Sequence, residues 1–138
     1  MIANHTLGYE DARRVVDVVV AEVSRRGKAA VIAVADAHGE LIAFVRMDGA
    51  PLSSIAIAAN KAWTAARAGK PTGDIGKKAS TEQGFDIAYY GDSRFCGWGG
   101  GIPVRQGGRV VGAVAVSGLP QEEDVEVATL GAAAITAS

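Results

Sequence analysis

The chain has one cysteine and two histidines, and only 6% of its 138 residues are aromatic. A lone Cys96 cannot close an internal disulfide, which fits a reducing, cytoplasmic setting. His5 and His38 have no second histidine or cysteine at ligand spacing, so no structural zinc site is expected. A net charge of −1 speaks against nucleic acid or a membrane surface as partner. No run approaches the ~18 apolar residues that span a bilayer. The opening MIANHTLGYEDARR shows no apolar run after a basic start, so no signal peptide is expected. There is no nucleophile-elbow signature and no P-loop: Gly99-Gly100-Gly101 runs into Ile102-Pro103-Val104 and a hairpin, not into a helix.

What the chain does have is small residues. Glycine occurs 18 times, alanine is abundant, and 49% of residues are hydrophobic, enough for the core of one domain over residues 1–138. The stretch Gly97 to Gly118 holds eight glycines in 22 residues, yet its second half, Val110 to Val116, reads as a buried β-branched strand. Glycine weakens strands, so a strand built this way admits a close backbone or keeps space free.

Helical spacing runs through Ala12, Val15, Val16, Val19 and Val23, and Gly27 is its stop. AAVIAVADAHGELIAFVRMDG reads as two strands turning at His38-Gly39, and IPVRQGGRVVGAVAV as two more turning at Gly107-Gly108. Between the hairpins a helix starts near Ser53 and stops at Gly69, with a nearly all-small stripe at Ile55, Ala58 or Ala59, Ala62, and Ala65 or Ala66. PTGDIGKKASTEQGFDIAYYGDSRF has no sustained period and is expected to be loop with short turns. A last helix follows Pro120 and runs towards Ile135. Hairpins make an antiparallel sheet that helices must cover, so the class is α+β.

Strand alternation divides Val110 to Ser117 into Val110, Gly112, Val114 and Val116 on one face and Val111, Ala113, Ala115 and Ser117 on the other. The second face either receives the alanine helix or floors a pocket, and the two are compatible.

VADAHGELIAFVRMDGA, AIAANKAWTAARAGKPT, GGGIPVRQGGRVVGAVAVSG and EEDVEVATLGAAAI, taken in that order, resemble the GlcG/HbpS family, which also supplies the C-terminal domain of PduO-type corrinoid adenosyltransferases. The resemblance implies a profilin-like fold with a five-stranded antiparallel sheet flanked by helices, usually as homo-oligomers. Some members bind haem, and others sit in catabolic operons without a settled activity. The PduO-type domain ligates haem through a histidine near its first helix. The first helix here has none, so haem is a weaker expectation than the family name implies.

The resemblance also places Lys61, in NKAWTA, beside the strand ending in Ser117, with Thr64 one helical turn on. Lys61 is then either a solvated charge or a cation for a carboxylate. In either case Lys61→Ala is expected to leave thermal stability nearly unchanged. Glu122, Glu123 and Asp124 suit the start of a helix, and Asp124, at an acidic position of the family, is the one placed to face a site. Arg46 and Asp48 form a strand-end ion pair or reach a ligand. Trp98, Gly99, Gly100 and Gly101 are candidate ligand-binding residues, and Tyr89-Tyr90 lie beside them. Trp63 is a candidate for a subunit interface.

Two functions follow. The first is an accessory protein holding a small anionic ligand, a metabolite or tetrapyrrole, between the alanine helix and the second hairpin. The second is a cofactor-independent isomerase or hydrolase acting on a small carboxylate or ring-cleavage product, with Lys61, Asp124 and Ser117 as acid, base and positioning groups.

Overall fold

In the computed structural model, which describes residues 1–136, four helices and four strands follow the order α1 (Tyr9–Arg25), β1 (Val31–Asp36), β2 (Leu41–Arg46), α2 (Ser54–Ala68), α3 (Thr72–Thr81), β3 (Gly101–Gln106), β4 (Arg109–Ser117) and α4 (Gln121–Thr136). A 3₁₀ turn at Ile87–Tyr90 lies between α3 and β3. The sheet is antiparallel, in the order β2-β1-β4-β3. Among the described residues it has four strands where the resemblance implies five. The segment between α2 and β3 contributes no strand, being taken up by α3, the 3₁₀ turn and irregular backbone.

The two hairpins turn where their glycines are. Gly107 and Gly108 have φ of 57° and 78°, the positive pair that a tight hairpin turn requires. Gly8 opens α1, its N–H donating to the Asp11 carboxylate at 2.9 Å, and Gly69 closes α2 with φ of 65°. The stretch expected to be loop holds α3. Its only buried positions are Thr72 and Ile75, so no apolar period marks it.

Strand alternation gives the sheet two unlike faces. Ile32 and Val34 of β1 pair with Val116 and Val114 of β4, and this face packs on Val15, Val19 and Val23 of α1 and on Val127 and Ile135 of α4. Ala33 pairs with Ala115 on the other face, which packs on Ala58 and Ala62 of α2. One correction concerns the start of β4. Val104 pairs with Gly112 but Arg105 with Val110, so Val111 is the extra residue of a β-bulge. Val111 therefore joins Val114 and Val116 on the valine face instead of Ala113.

The close approach of α2 explains the first glycine of β3. A Cβ on Gly101 would stand 2.6 Å from the Lys61 carbonyl oxygen, nearer than side chains come to backbone. α1 and α4 are clamped at one end, where Glu123 accepts from Lys28 at 2.6 Å and from Arg26 at 3.2 Å.

Candidate functional site

Where β4 ends, α2 and α4 converge on a cavity of about 260 Å³. Pro51, Ser53, Ser54 and Ile57 line one side, and Ser117, Gly118 and Leu119 continue the strand beneath it. Lys61, Asp124, Gln121, Trp98 and Gly99 complete the wall. The alanine packing of α2 stops here: Ala113 and Ala115 are covered by the helix, and the next inward residue on that face, Ser117, meets the cavity. The small face of β4 thus does both things open to it, receiving a helix and ending at a pocket.

Lys61 is a core residue, with 2% of its surface exposed. It lies on the α2 face that the alanine stripe buries, and its stem crosses to the far end of β4. Nζ donates to the Val116 carbonyl at 2.8 Å and to Asp124 Oδ2 at 3.3 Å. Asp124, 4% exposed, sits in the first turn of α4, and its Oδ1 accepts the Leu119 N–H at 3.1 Å. Burial lowers the Lys61 ammonium from its usual range, opposed by the charge of Asp124. Burial also raises Asp124 to about 6, opposed by Lys61 and by the N–H groups of Leu119 and Gly118. Each group is pushed towards its neutral form. Compared with the free side chains, the amine holds its proton less firmly and the carboxyl holds its proton more firmly, which narrows the gap for proton transfer between them.

This burial corrects the expectation for Lys61→Ala. The change would empty a filled volume and leave Asp124 buried without its partner, so stability should fall.

The candidate residues separate into those the fold gathers and those it does not. Lys61, Asp124, Ser117, Trp98 and Gly99 share the cavity wall. Gly100 lies behind it: a Cβ there would stand 2.8 Å from Lys61 Nζ, so this glycine leaves the amine uncrowded. Gly101 is held away from the cavity, its N–H donating to Thr72 Oγ1 at 2.9 Å. Thr64 is also committed elsewhere. Its hydroxyl donates to the Arg94 carbonyl at 3.2 Å and accepts the Cys96 N–H at 3.1 Å, tying α2 to the segment before the glycine run. Arg46 is exposed at the end of the edge strand β2, outside the cavity lining, and among the described residues it makes no ion pair with Asp48.

The other aromatics lie apart from the cavity. Tyr90 stacks on Phe95 with centroids 4.0 Å apart, and Tyr89 is exposed. Trp63 is buried under the Arg94 guanidinium, 4.0 Å from its ring centroid. Ser53, Ser54 and Gln121 of the lining went unread. The serines have the look of a helix start, and only the convergence of α2 on β4 turns them towards a pocket.

An antiparallel sheet with a valine-packed face, an alanine-packed face and a buried Lys–Asp pair at one end defines a small α+β domain with a pocket at the edge of its core. The chain belongs to the HbpS-like family, described as haem degrading protein HbpS-like, whose profile matches residues 7–133. A 15.0 kDa uncharacterized protein from the dhaT-dhaS intergenic region of Citrobacter freundii is 31% identical over 120 residues, covering 86% of this chain and 84% of that one. The corrinoid adenosyltransferase PduO of Salmonella typhimurium is 29% identical over 94% of this chain, which spans 39% of that protein. Among solved structures, the Klebsiella pneumoniae protein ORFY superposes with a TM-score of 0.94 at 29% identity, over 100% of this chain and 96% of that one. The PduOC–heme complex superposes at 0.86 with 25% identity, covering 94% of each chain. A double mutant of HbpS from Streptomyces reticuli also gives 0.86, at 27% identity over 96% of this chain and 89% of that one.

Proposed function

We propose that this chain, as one domain over residues 1–138 (the last two outside the described residues), is a small-molecule-binding accessory protein of the HbpS type. Its ligand enters the cavity above Lys61 and Asp124. One observation carries the reading: two ionisable side chains are buried together on the wall of a cavity. Desolvating such a pair costs about as much as its attraction returns, so stability alone does not account for it.

The ligand is a small anion. A volume of about 260 Å³ lies just below the ~300–1,000 Å³ that hold drug-sized molecules. Asp124 already neutralises Lys61, so a second carboxylate binds best once Asp124 has taken up its proton. Affinity for a carboxylate such as lactate should therefore fall as pH rises above about 6, by up to tenfold per unit. Isothermal titration from pH 5.5 to 7.5 measures this, with Asp124→Asn expected to flatten the dependence. Small carboxylates that bind equally well to wild type and to Lys61→Met would overturn the reading.

An enzyme is the second reading, favoured by the shift of both groups towards neutrality. Lys61 and Asp124 would then move a proton on a small carboxylate or ring-cleavage product while Ser117 positions it.

Haem is a further candidate, supported by the family description and by the PduOC–heme complex. The cavity does not suit it as an iron site. No histidine lines the cavity, and both Lys61 hydrogen-bond partners are acceptors that hold the amine in place. His5 and His38 are exposed and share a separate depression of about 150 Å³ with Arg109. That depression is far smaller than the ~300–1,000 Å³ of sites for drug-sized ligands, so a histidine-ligated haem would lie on the surface over it. Hemin titration of His5→Ala and His38→Ala tests it through loss of the Soret shift.

A homo-oligomer belongs to the same proposal, since the edge strand β2 leaves Leu41 and Phe44 exposed. Light scattering against the 14.1 kDa chain mass measures it. A cytoplasmic location accords with the free thiol of Cys96.

A further inference from the structure

Five lysines are present, and four of them, Lys28, Lys70, Lys77 and Lys78, are exposed. A lysine nitrogen attacks a carbonyl carbon only as the neutral amine. Lys61 differs in three ways that geometry alone establishes. It is buried, it forms part of a cavity wall, and a carboxyl group lies 3.3 Å from its nitrogen. Two acceptors, the Val116 carbonyl and Asp124, stand within hydrogen-bond distance of Nζ. A neutral amine satisfies both with its two hydrogens and retains its lone pair for an electrophile. Glycine at position 100 keeps side-chain atoms away from that nitrogen.

We propose that Lys61 forms an imine with a small carbonyl compound, such as a 2-oxo acid, bound in the cavity, with Asp124 as the proton donor. This rests on the cavity being the ligand site, as argued above. The Nζ lone pair attacks the carbonyl carbon, the C=O π pair moves to oxygen, and a proton passes from nitrogen to that oxygen to give a carbinolamine. The neutral Asp124 carboxyl then gives its proton to the carbinolamine hydroxyl, which leaves as water while nitrogen forms the C=N bond. The products are a protonated imine on Lys61, an Asp124 carboxylate beside it as counter-ion, and one water. No oxidant, metal or second cofactor enters. Burial displaces both groups in the direction of the neutral forms that this step uses, against the ion pair they otherwise make.

The test is reductive trapping on the wild-type protein. Pyruvate and sodium cyanoborohydride are added at pH 7, and the adduct on each lysine is quantified by peptide mass mapping. Lys61 is expected to carry at least tenfold more adduct than any of the four exposed lysines, although it is the least accessible to solvent. Lactate, which occupies the same site and cannot form an imine, should protect Lys61 and leave the exposed lysines unchanged. Asp124→Asn, checked for folding by circular dichroism, should slow labelling of Lys61 at least tenfold.

Adduct spread evenly over all five lysines, or confined to the exposed four, overturns the inference. If lactate still binds by calorimetry in that case, the cavity remains the ligand site and only the imine is excluded. If lactate does not bind either, both readings fall.

Discussion

The two faces of the sheet are made from alternate residues of the same strands, and they solve different problems. On the face under α1 and α4, β1 and β4 present Ile32, Val34, Val114 and Val116, and the helices answer with valines and Ile135. These side chains are all buried. On the face under α2 the same strands present Ala33, Ala35, Ala113 and Ala115, and the helix answers with Ala58, Ala62, Ala65 and Ala66. Small residues bring α2 close, and close packing is what lets Lys61 reach from the helix to Val116 and to α4. Bulk on one face supplies hydrophobic stabilisation at ~25 cal/mol per Å² of apolar area buried. Its absence on the other lets polar groups be buried next to a cavity.

The largest test of that contrast is the ion pair itself, which among the described residues has no buried counterpart on the valine face. Lys61→Met keeps the stem and removes the charge, and breaking a buried pair in this way costs about 3–5 kcal/mol. Denaturant melts at pH 8 should show that loss. At pH 5 it should be smaller, because Asp124 without its cation takes up a proton. The double change Lys61→Met/Asp124→Asn should regain at least ~1 kcal/mol over the single one, as neither charge is then left alone. Equal stability of wild type and Lys61→Met at pH 8 would mean that the alanine face does not depend on the pair.

Packing comes next. Ala115 and Val116 are adjacent, both fully buried, and point to opposite faces. Ala115→Leu drives three extra carbons against α2, and overpacking of this kind costs ~1–3 kcal/mol. Val116→Ile adds one methylene to a face already built of branched residues and should cost less. Thermal melts of the two variants rank the faces directly. If Val116→Ile proves the more harmful, the alanine face is the looser of the two.

A smaller effect should appear in the pH dependence of stability. Asp124 is raised to about 6 in the folded chain and titrates near ~3.9 when unfolded. Between those values the folded state holds the extra proton, so this group favours folding below about 4 and that contribution is lost as pH rises through about 6. Asp124→Asn removes the titration and should flatten that part of a stability–pH curve. The clamp at Glu123 behaves in the opposite sense: its carboxylate is lowered by hydrogen bonds from Lys28 and Arg26, so its contribution is lost as pH falls.

Much of this architecture can be read from sequence because periodicity reports on repeated contacts. The valines of α1 recur every three or four residues since that whole helix lies on one face, and the hairpins show themselves through Gly107-Gly108 and His38-Gly39. Features that depend on a single event stay hidden. α3 buries only Thr72 and Ile75 and carries Gly73 and Gly76, so neither its pattern nor its propensity marks a helix. The bulge at Val111 inverts the strand's parity through one unpaired residue. Lys61 and Asp124 were both candidates. Their contact, and the depth at which it is made, comes from how α2 and α4 converge on β4, and no spacing within either helix encodes it. Arg46 and Thr64 show the converse: residue types suited to a ligand, but carried by the fold to an edge and to a loop anchor.

The smallest effect on the fold should come from Trp98, the most exposed large hydrophobic side chain of the cavity wall at 63%. A tryptophan so open to water contributes little to the core, and Trp98→Ala should change stability by no more than about 0.5 kcal/mol. Its ring nevertheless forms one side of the opening beside Gly99, where a bound molecule would cover part of it. Covering the lactate methyl against that ring is worth about 0.8 kcal/mol, so lactate affinity should weaken by roughly fourfold while the melting temperature stays put. Calorimetry and thermal melts on the same preparation separate the outcomes. A fall in melting temperature comparable with that of Ala115→Leu would make Trp98 part of the packed structure. Unchanged affinity would put the entrance on the other side of the cavity, between Ser53 and Gln121, leaving the polar end of the alanine face open from the helix termini.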